Sequence, residues 1–173
     1  MKNFLILFFM VVITSCAPIH VNYDYDTATD FNNYKTYNYY REMNTGLNEL
    51  DAKRLIEALN GELQTKGFVL SDSPDFLINI QSSEFQETQR SNVGVGLGGG
   101  GRNVGGGVSI GIPVGQNQMN RQIVIEFVDE NKTGLFWQAV SESSFDPNAS
   151  PEKREIQFQN IVSKVLAKYP PEK

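Results

Sequence analysis

The chain has 173 residues, with 15 Lys and Arg against 20 Asp and Glu, a formal net charge of −5, one histidine and one cysteine. An acidic balance with scattered basic residues excludes a nucleic-acid or anionic-lipid binder, and a lone cysteine excludes a disulfide framework or a zinc ribbon. The length suits one domain with a real core.

The N-terminus carries the strongest signal. Lys2 supplies a positive start, Phe4 to Ile13 form an unbroken apolar run, and Thr14-Ser15 precede Cys16. The run is too short to span a bilayer and reads as a cleaved secretory signal. The ending Ile13-Thr14-Ser15-Cys16 resembles the lipobox of bacterial lipoproteins, which implies cleavage before Cys16 and a covalent lipid on it. Stable anchoring takes at least two acyl chains, at about 0.8 kcal/mol per buried methylene. A triacylated Cys16 meets that need; a signal peptide with an incidental cysteine is the alternative. Ala17, in place of Asp, implies the outer membrane in the enterobacterial pattern. The expected parts are a signal peptide (1–15), the lipidated cysteine and tether (16–18), one domain (19–170) and a tail (171–173). The mature chain of 158 residues then carries a formal charge of −6.

Ile19, Val21, Tyr23 and Tyr25 alternate with polar residues and predict a strand. It begins three residues after Cys16, so the tether spans about 10 Å at most and the domain sits close to its membrane. Asp30 to Asn33 predict a turn, and Tyr34 to Tyr40 a second strand of aromatic β-formers. Ala52, Leu55, Ile56, Leu59 and Leu63 share one helical face. Gly67 is placed at the left-handed C′ position that ends this helix, bringing Phe68 against Leu63, whereas Gly61 sits mid-helix, marking a close approach or nothing. Phe76, Ile78 and Ile80 predict a third strand, Ile123, Ile125 and Phe127 a fourth, and Leu135 to Val140 a fifth, hairpin-paired through Asp129 to Gly134. Ser150 as N-cap and Pro151 at N1 open a last helix, striped by Phe158, Ile161, Val162, Val165, Leu166 and Tyr169 and stopped by Pro170-Pro171. The order ββαβββα predicts an α+β two-layer sandwich: a largely antiparallel five-stranded sheet with both helices on one face.

Eleven of the fifteen glycines fall between Gly94 and Gly115, inside an insert over 93–115. Val93, Val95 and Leu97 alternate with glycine before Arg102, and Val108, Ile110, Ile112 and Val114 alternate after it. The pattern suits a hairpin with one apolar and one bare face, or a flexible loop. The destabilising effect of glycine inside strands favours the loop. Val95, Leu97, Arg102, Val108 and Ile110 are the candidate partner contacts. The match to G-x-G-x-x-G at Gly94 to Gly99 lacks the strand before and the helix after that a dinucleotide site needs.

No catalytic set emerges. His20, the only histidine, is four residues from the anchor and reads as solvated or sheet-facing. Asp24, Asp26 and Asp30 lack the glycine and glutamate of a calcium loop. Glu84, Glu87, Glu126 and Asp129 are carboxylates from which a glycan-hydrolysing pair could be drawn. Tyr34, Tyr37, Tyr39 and Tyr40 read as packing residues rather than a sugar platform, and Trp137 as a core anchor.

Taken together, several pieces resemble a bacterial lipoprotein family known as domain of unknown function 4136. They are Tyr23-Asp24-Tyr25-Asp26, Asp30-Phe31 with Tyr34-Lys35-Thr36-Tyr37, Lys66-Gly67-Phe68, Pro74-Asp75-Phe76-Leu77-Ile78, Asp129, Gly134-Leu135-Phe136-Trp137 and the closing helix into Tyr169-Pro170. The polar stretch Gln116 to Arg121 departs from the tyrosine/glycine segment expected there. The resemblance implies a lipid-anchored envelope protein and brings no catalytic or ligand-binding residues. The expected function is non-enzymatic: binding or scaffolding another envelope component, with the lipid on Cys16 as membrane contact, no other cofactor, no metal and no nucleic acid. A periplasm-facing outer-membrane location is expected. A carboxylate-pair hydrolase, or a carrier or sensor of a small apolar ligand, are the alternatives.

Overall fold

The computed structural model describes residues 18–87, 118–132 and 134–171. The expected signal peptide (1–15), Cys16 and the expected insert over 93–115 lie outside them, as do the candidate contacts Val95, Leu97, Arg102, Val108 and Ile110.

The elements are β1 (His20–Tyr25), a 3-10 turn (Phe31–Asn33), β2 (Thr36–Tyr39), α1 (Glu49–Thr65), β3 (Val69–Leu70), β4 (Phe76–Glu87), β5 (Gln118–Asp129), β6 (Gly134–Ser144) and α2 (Pro151–Leu166). They form an α+β fold around one six-stranded sheet of order β1-β6-β5-β4-β2-β3. This corrects the five-stranded, largely antiparallel expectation in two ways. The sheet gains β3, a two-residue edge strand with both side chains exposed and therefore no periodic signal. It is also mixed: β1, β6, β5 and β4 pair antiparallel, whereas β2 runs parallel to both β3 and β4. The parallel pairing follows from connectivity, because β2 and the strands after α1 are joined through a helical crossover rather than a hairpin.

Alternation places the core on one face. On β5, Arg121, Ile123, Ile125, Phe127 and Asp129 are buried and the residues between them are half-buried. Leu55, Leu59 and Leu63 of α1 and Phe158, Ile161, Val162, Val165 and Leu166 of α2 join Ile78, Ile80, Ile123, Ile125 and Phe127 in one apolar cluster, so both helices cover this face. Trp137 is buried in it, as its sequence position predicts.

The helix signals hold. Gly67 has φ 86°, the Phe68 N–H donates to the Leu63 carbonyl at 3.0 Å, and the Gly67 N–H donates to that of Gln64 at 3.0 Å. That is the paired bonding of a Schellman stop. Ser150 caps α2 by accepting from the Lys153 N–H at 3.4 Å. Gly61 marks no close approach: a methyl group there meets nothing within 4 Å. Gly61→Ala is therefore expected to raise stability by about 1 kcal/mol, the helix-propensity gain alone, read as a rightward shift of the urea midpoint at unchanged slope.

Candidate functional site

The register brings two features of the sequence to one end of the sheet. On β1, His20 lies opposite Glu142, and Glu142 lies opposite Gln122 of β5. The chain therefore enters from Pro18 at the same end at which β4 stops at Glu87 and β5 starts at Gln118, those two residues being paired. The start of β1 and the two ends of the 30-residue connection that carries the glycine-rich stretch share this end.

Beneath it lies a buried charge cluster. Asp51, in the first turn of α1, is fully buried. Its carboxylate accepts from Arg54 Nη1 at 2.9 Å, Arg154 Nη1 at 2.9 Å, Arg121 Nη1 at 3.4 Å and Asn48 Nδ2 at 3.0 Å. Arg121 also donates to Glu84 at 2.8 Å, and its guanidinium lies 3.6 Å from the centre of the Phe145 ring. Arg154 further donates to the carbonyls of Ala149 and Pro147, fixing the loop before α2. Burial works to raise the Asp51 carboxyl. The Asn48 hydrogen bond and the charges of Arg154, Arg121 and Arg54 outweigh it and hold the group below its usual range. The cluster thus locks the root of the insert, on β4 and β5, to the N-termini of both helices.

The remaining candidates do not converge. Glu84 is bound to Arg121, which stands eight residues from Asp129 along β5, about 26 Å at 3.3 Å per residue. Glu126 lies on the open face, accepting from Asn79 Nδ2 at 2.8 Å. Asp129 is buried on the helix-covered side, accepting from the Tyr34 hydroxyl at 3.0 Å, a contact that with burial pushes the Tyr34 phenol up to about 12. Glu84 and Asp129 are thus too far apart to act on one glycosidic bond, and Glu126 and Asp129 lie on opposite faces of β5; Glu87 ends β4, and its side chain lies outside the described part.

Asp24, Asp26 and Asp30 are spent on local backbone. Asp24 accepts from the Tyr25 N–H, Asp26 from the Ala28 N–H and Thr29 hydroxyl, and Asp30 from the Asn32 N–H. Among the described residues no group of three or more His, Cys, Asp or Glu is arranged to hold a metal ion. His20 is exposed on the open face of β1. Tyr37 and Tyr39 both donate to Asn60 Oδ1, at 2.9 and 2.8 Å, tying β2 to α1 as packing residues. Among the described residues, the inward side chains of the sheet and both helices join in one apolar cluster. A groove of about 660 Å³ lies at the far end of the sheet, lined by Tyr23, Tyr25, Trp137, Ala167, Lys168, Pro170 and Pro171.

Sequence reasoning missed the Asp51 cluster. Asp51, Arg121 and Arg154 are 70 and 103 residues apart, and nothing local marks them. The one available signal is Arg121 itself, which continues the inward alternation of Ile123, Ile125 and Phe127 on β5 with a charged residue.

A family model described as "Domain of unknown function (DUF4136)" matches residues 21–171. No curated protein matches the chain. Among solved structures, a PDZ domain protein from Parabacteroides distasonis aligns at 16% identity and a TM-score of 0.52, covering 99% of this chain and 41% of that one. The chain thus spans about two fifths of that protein's length. Two structures of a PelC dodecamer from Paraburkholderia phytofirmans align at 8% and 10% identity, with TM-scores of 0.49 and 0.47, over 87% of this chain and 95% and 96% of theirs. At such identities the likeness concerns the fold alone.

Proposed function

The chain belongs to the family described as domain of unknown function 4136, and from that premise we propose that it is a non-enzymatic lipoprotein of the bacterial cell envelope. Anchored through Cys16, in the outer membrane and facing the periplasm, it binds or scaffolds another envelope component through the insert over 93–115. The observation that supports this reading best is the shared end of tether and insert. A lipid on Cys16 is within about 10 Å of Ile19, and the insert leaves β4 and returns to β5 at that same end. The two attachment points of the insert, at the ends of β4 and β5, therefore lie at the end of the domain from which the chain runs back to Cys16. Among the described residues no helix is long and apolar enough to cross a membrane, so attachment is assigned to the lipid.

The test has two parts. Mass spectrometry of the full chain from cells should find a mature N-terminus at Cys16 carrying acyl chains, and Cys16→Ala should leave an unprocessed precursor; an unmodified Cys16 sinks the anchor. Photo-cross-linkers at Val95, Leu97, Val108 or Ile110 should join one defined envelope protein, which is lost when 93–115 is deleted. Cross-links to no defined protein, or links that survive the deletion, sink the scaffold.

A further inference from the structure

β1 is an end strand of the sheet, so one of its long edges faces no other strand. The pairing with β6 fixes which main-chain groups lie along that edge. The Asp26 N–H donates to the Phe136 carbonyl at 3.0 Å, and the register continues through Asp24–Gln138, Asn22–Val140 and His20–Glu142. Because hydrogen-bonded and non-hydrogen-bonded pairs alternate, the main chain of these residues points to β6, and that of Ile19, Val21, Tyr23 and Tyr25 points away from it. Two of the outward groups are occupied within the chain. The Ile19 carbonyl accepts from Lys164 Nζ at 3.4 Å, and the Tyr25 N–H donates to Asp24 Oδ1 at 2.9 Å. Between them, the N–H and C=O of Val21 and of Tyr23 have no partner among the described residues. β1 also carries no Lys, Arg or Pro, the residues that commonly keep a strand edge unpaired.

We infer that this edge pairs antiparallel with the same edge of a second copy of the chain, across a two-fold axis at Asn22, so that the two sheets become one. The unoccupied groups set the register. Val21 and Tyr23 of one copy exchange both main-chain bonds with Tyr23 and Val21 of the second copy, and only in this register do all four free groups meet each other. A shift of two residues either way brings in Ile19 or Tyr25, each with one outward group already taken. The side chains agree with the backbone. On the open face Asn22 meets Asn22, and His20 meets Asp24 of the second copy, whose Oδ2 is not used in the bond to Tyr25. The symmetry makes that imidazole–carboxylate contact twice. On the helix-covered face Val21 stands opposite Tyr23, and Ile19 opposite Tyr25, whose ring is 40% exposed in the single chain. Opposite charges and aromatic with β-branched residues are the cross-strand pairs that stabilise a sheet.

Disulfide trapping in the full-length chain tests the register. Cys16 is the only cysteine, so Cys16→Ser in every variant leaves the introduced thiol alone. Residues facing each other at the axis form a non-hydrogen-bonded pair with Cα atoms about 4.5 Å apart, a separation that a disulfide spans. In detergent solution under mild oxidation, Asn22→Cys should form a covalent dimer. His20→Cys and Asp24→Cys should each give several-fold less dimer alone, because like positions are offset by four residues, about 13 Å. Mixed together, these two should cross-link to each other. Val21→Pro removes one outward N–H and leaves the bonds to β6 in place, a substitution that an edge strand tolerates. Combined with Asn22→Cys, it should abolish the dimer. The proposal is overturned if Asn22→Cys does not cross-link, as when the edge takes a partner of another kind. It is equally overturned if His20→Cys alone cross-links as well as Asn22→Cys, or if the dimer survives Val21→Pro.

Discussion

Replacing Asp51 with alanine is expected to destabilise the fold by about 3–5 kcal/mol, the cost of removing one partner from a buried ion cluster. The carboxylate is fully buried and pairs with three guanidinium groups. Without it, Arg54 and Arg154, each about one-fifth exposed, can turn toward water. Arg121 cannot, because it is 6% exposed and held between Phe145 and the strand. Its charge would keep only Glu84, which is itself partly exposed. The Asn48–Asp51 contact that opens α1 is weakened in the same step. Arg54→Ala removes a flexible, partly solvated partner and should cost far less, about 1 kcal/mol at most. The Asp51 loss should lower Tm by roughly 2–4 °C per kcal/mol, and thermal unfolding of both variants checks the ranking. The contribution also depends on pH. Because the folded carboxyl is held below its ordinary value of 3.8, its stabilisation is fully present above that value and decays as pH falls through the lower folded one. Asp51→Asn should flatten this acid limb in denaturant titrations between about pH 5 and pH 2. An unchanged limb would mean that other carboxylates control it.

Local patterns carried most of the fold. The two helices, their caps and the strands centred on Ile78, Ile125 and Trp137 follow from period and stop signals, each a property of a few adjacent residues. Pairing partners do not. The parallel placement of β2 between β3 and β4 depends on which edge the crossover returns to, and β3 is too short to alternate. The candidate site divides along the same line. A cysteine behind an apolar run and a glycine-rich stretch are visible in composition, whereas the placing of the start of β1 at the same end as the end of β4 and the start of β5 depends on the register His20–Glu142–Gln122, which no local signal encodes. Asp51 is the clearest case. In sequence it is an acidic residue in a first helical turn, ordinary for a cap. Only the fold shows that its partners arrive from β5 and α2.

Tyr169 should give opposite results with two substitutions. Its ring packs against Phe127 at 4.8 Å between centroids, Trp137 at 5.0 Å, Phe68 at 5.6 Å and Phe31 at 5.9 Å, closing the core where the chain leaves α2. Tyr169→Ala removes a fully enclosed ring and is expected to cost about 3–5 kcal/mol. The hydroxyl is another matter. It is buried and has no hydrogen-bond partner among the described residues, and its burial, with the nearby Tyr34, pushes the phenol pKa up, so it stays neutral. A buried polar group without a partner costs about 1–3 kcal/mol. Tyr169→Phe keeps the ring and removes that penalty, so it should raise stability, by about 1 kcal/mol after the loss of some van der Waals contact. Urea unfolding of the two variants beside the unsubstituted chain separates ring from hydroxyl. If Tyr169→Phe instead lowers stability, the hydroxyl is bonded to a group outside the described residues. The tyrosine then joins the core to that group, rather than serving only as one more ring in the aromatic layer.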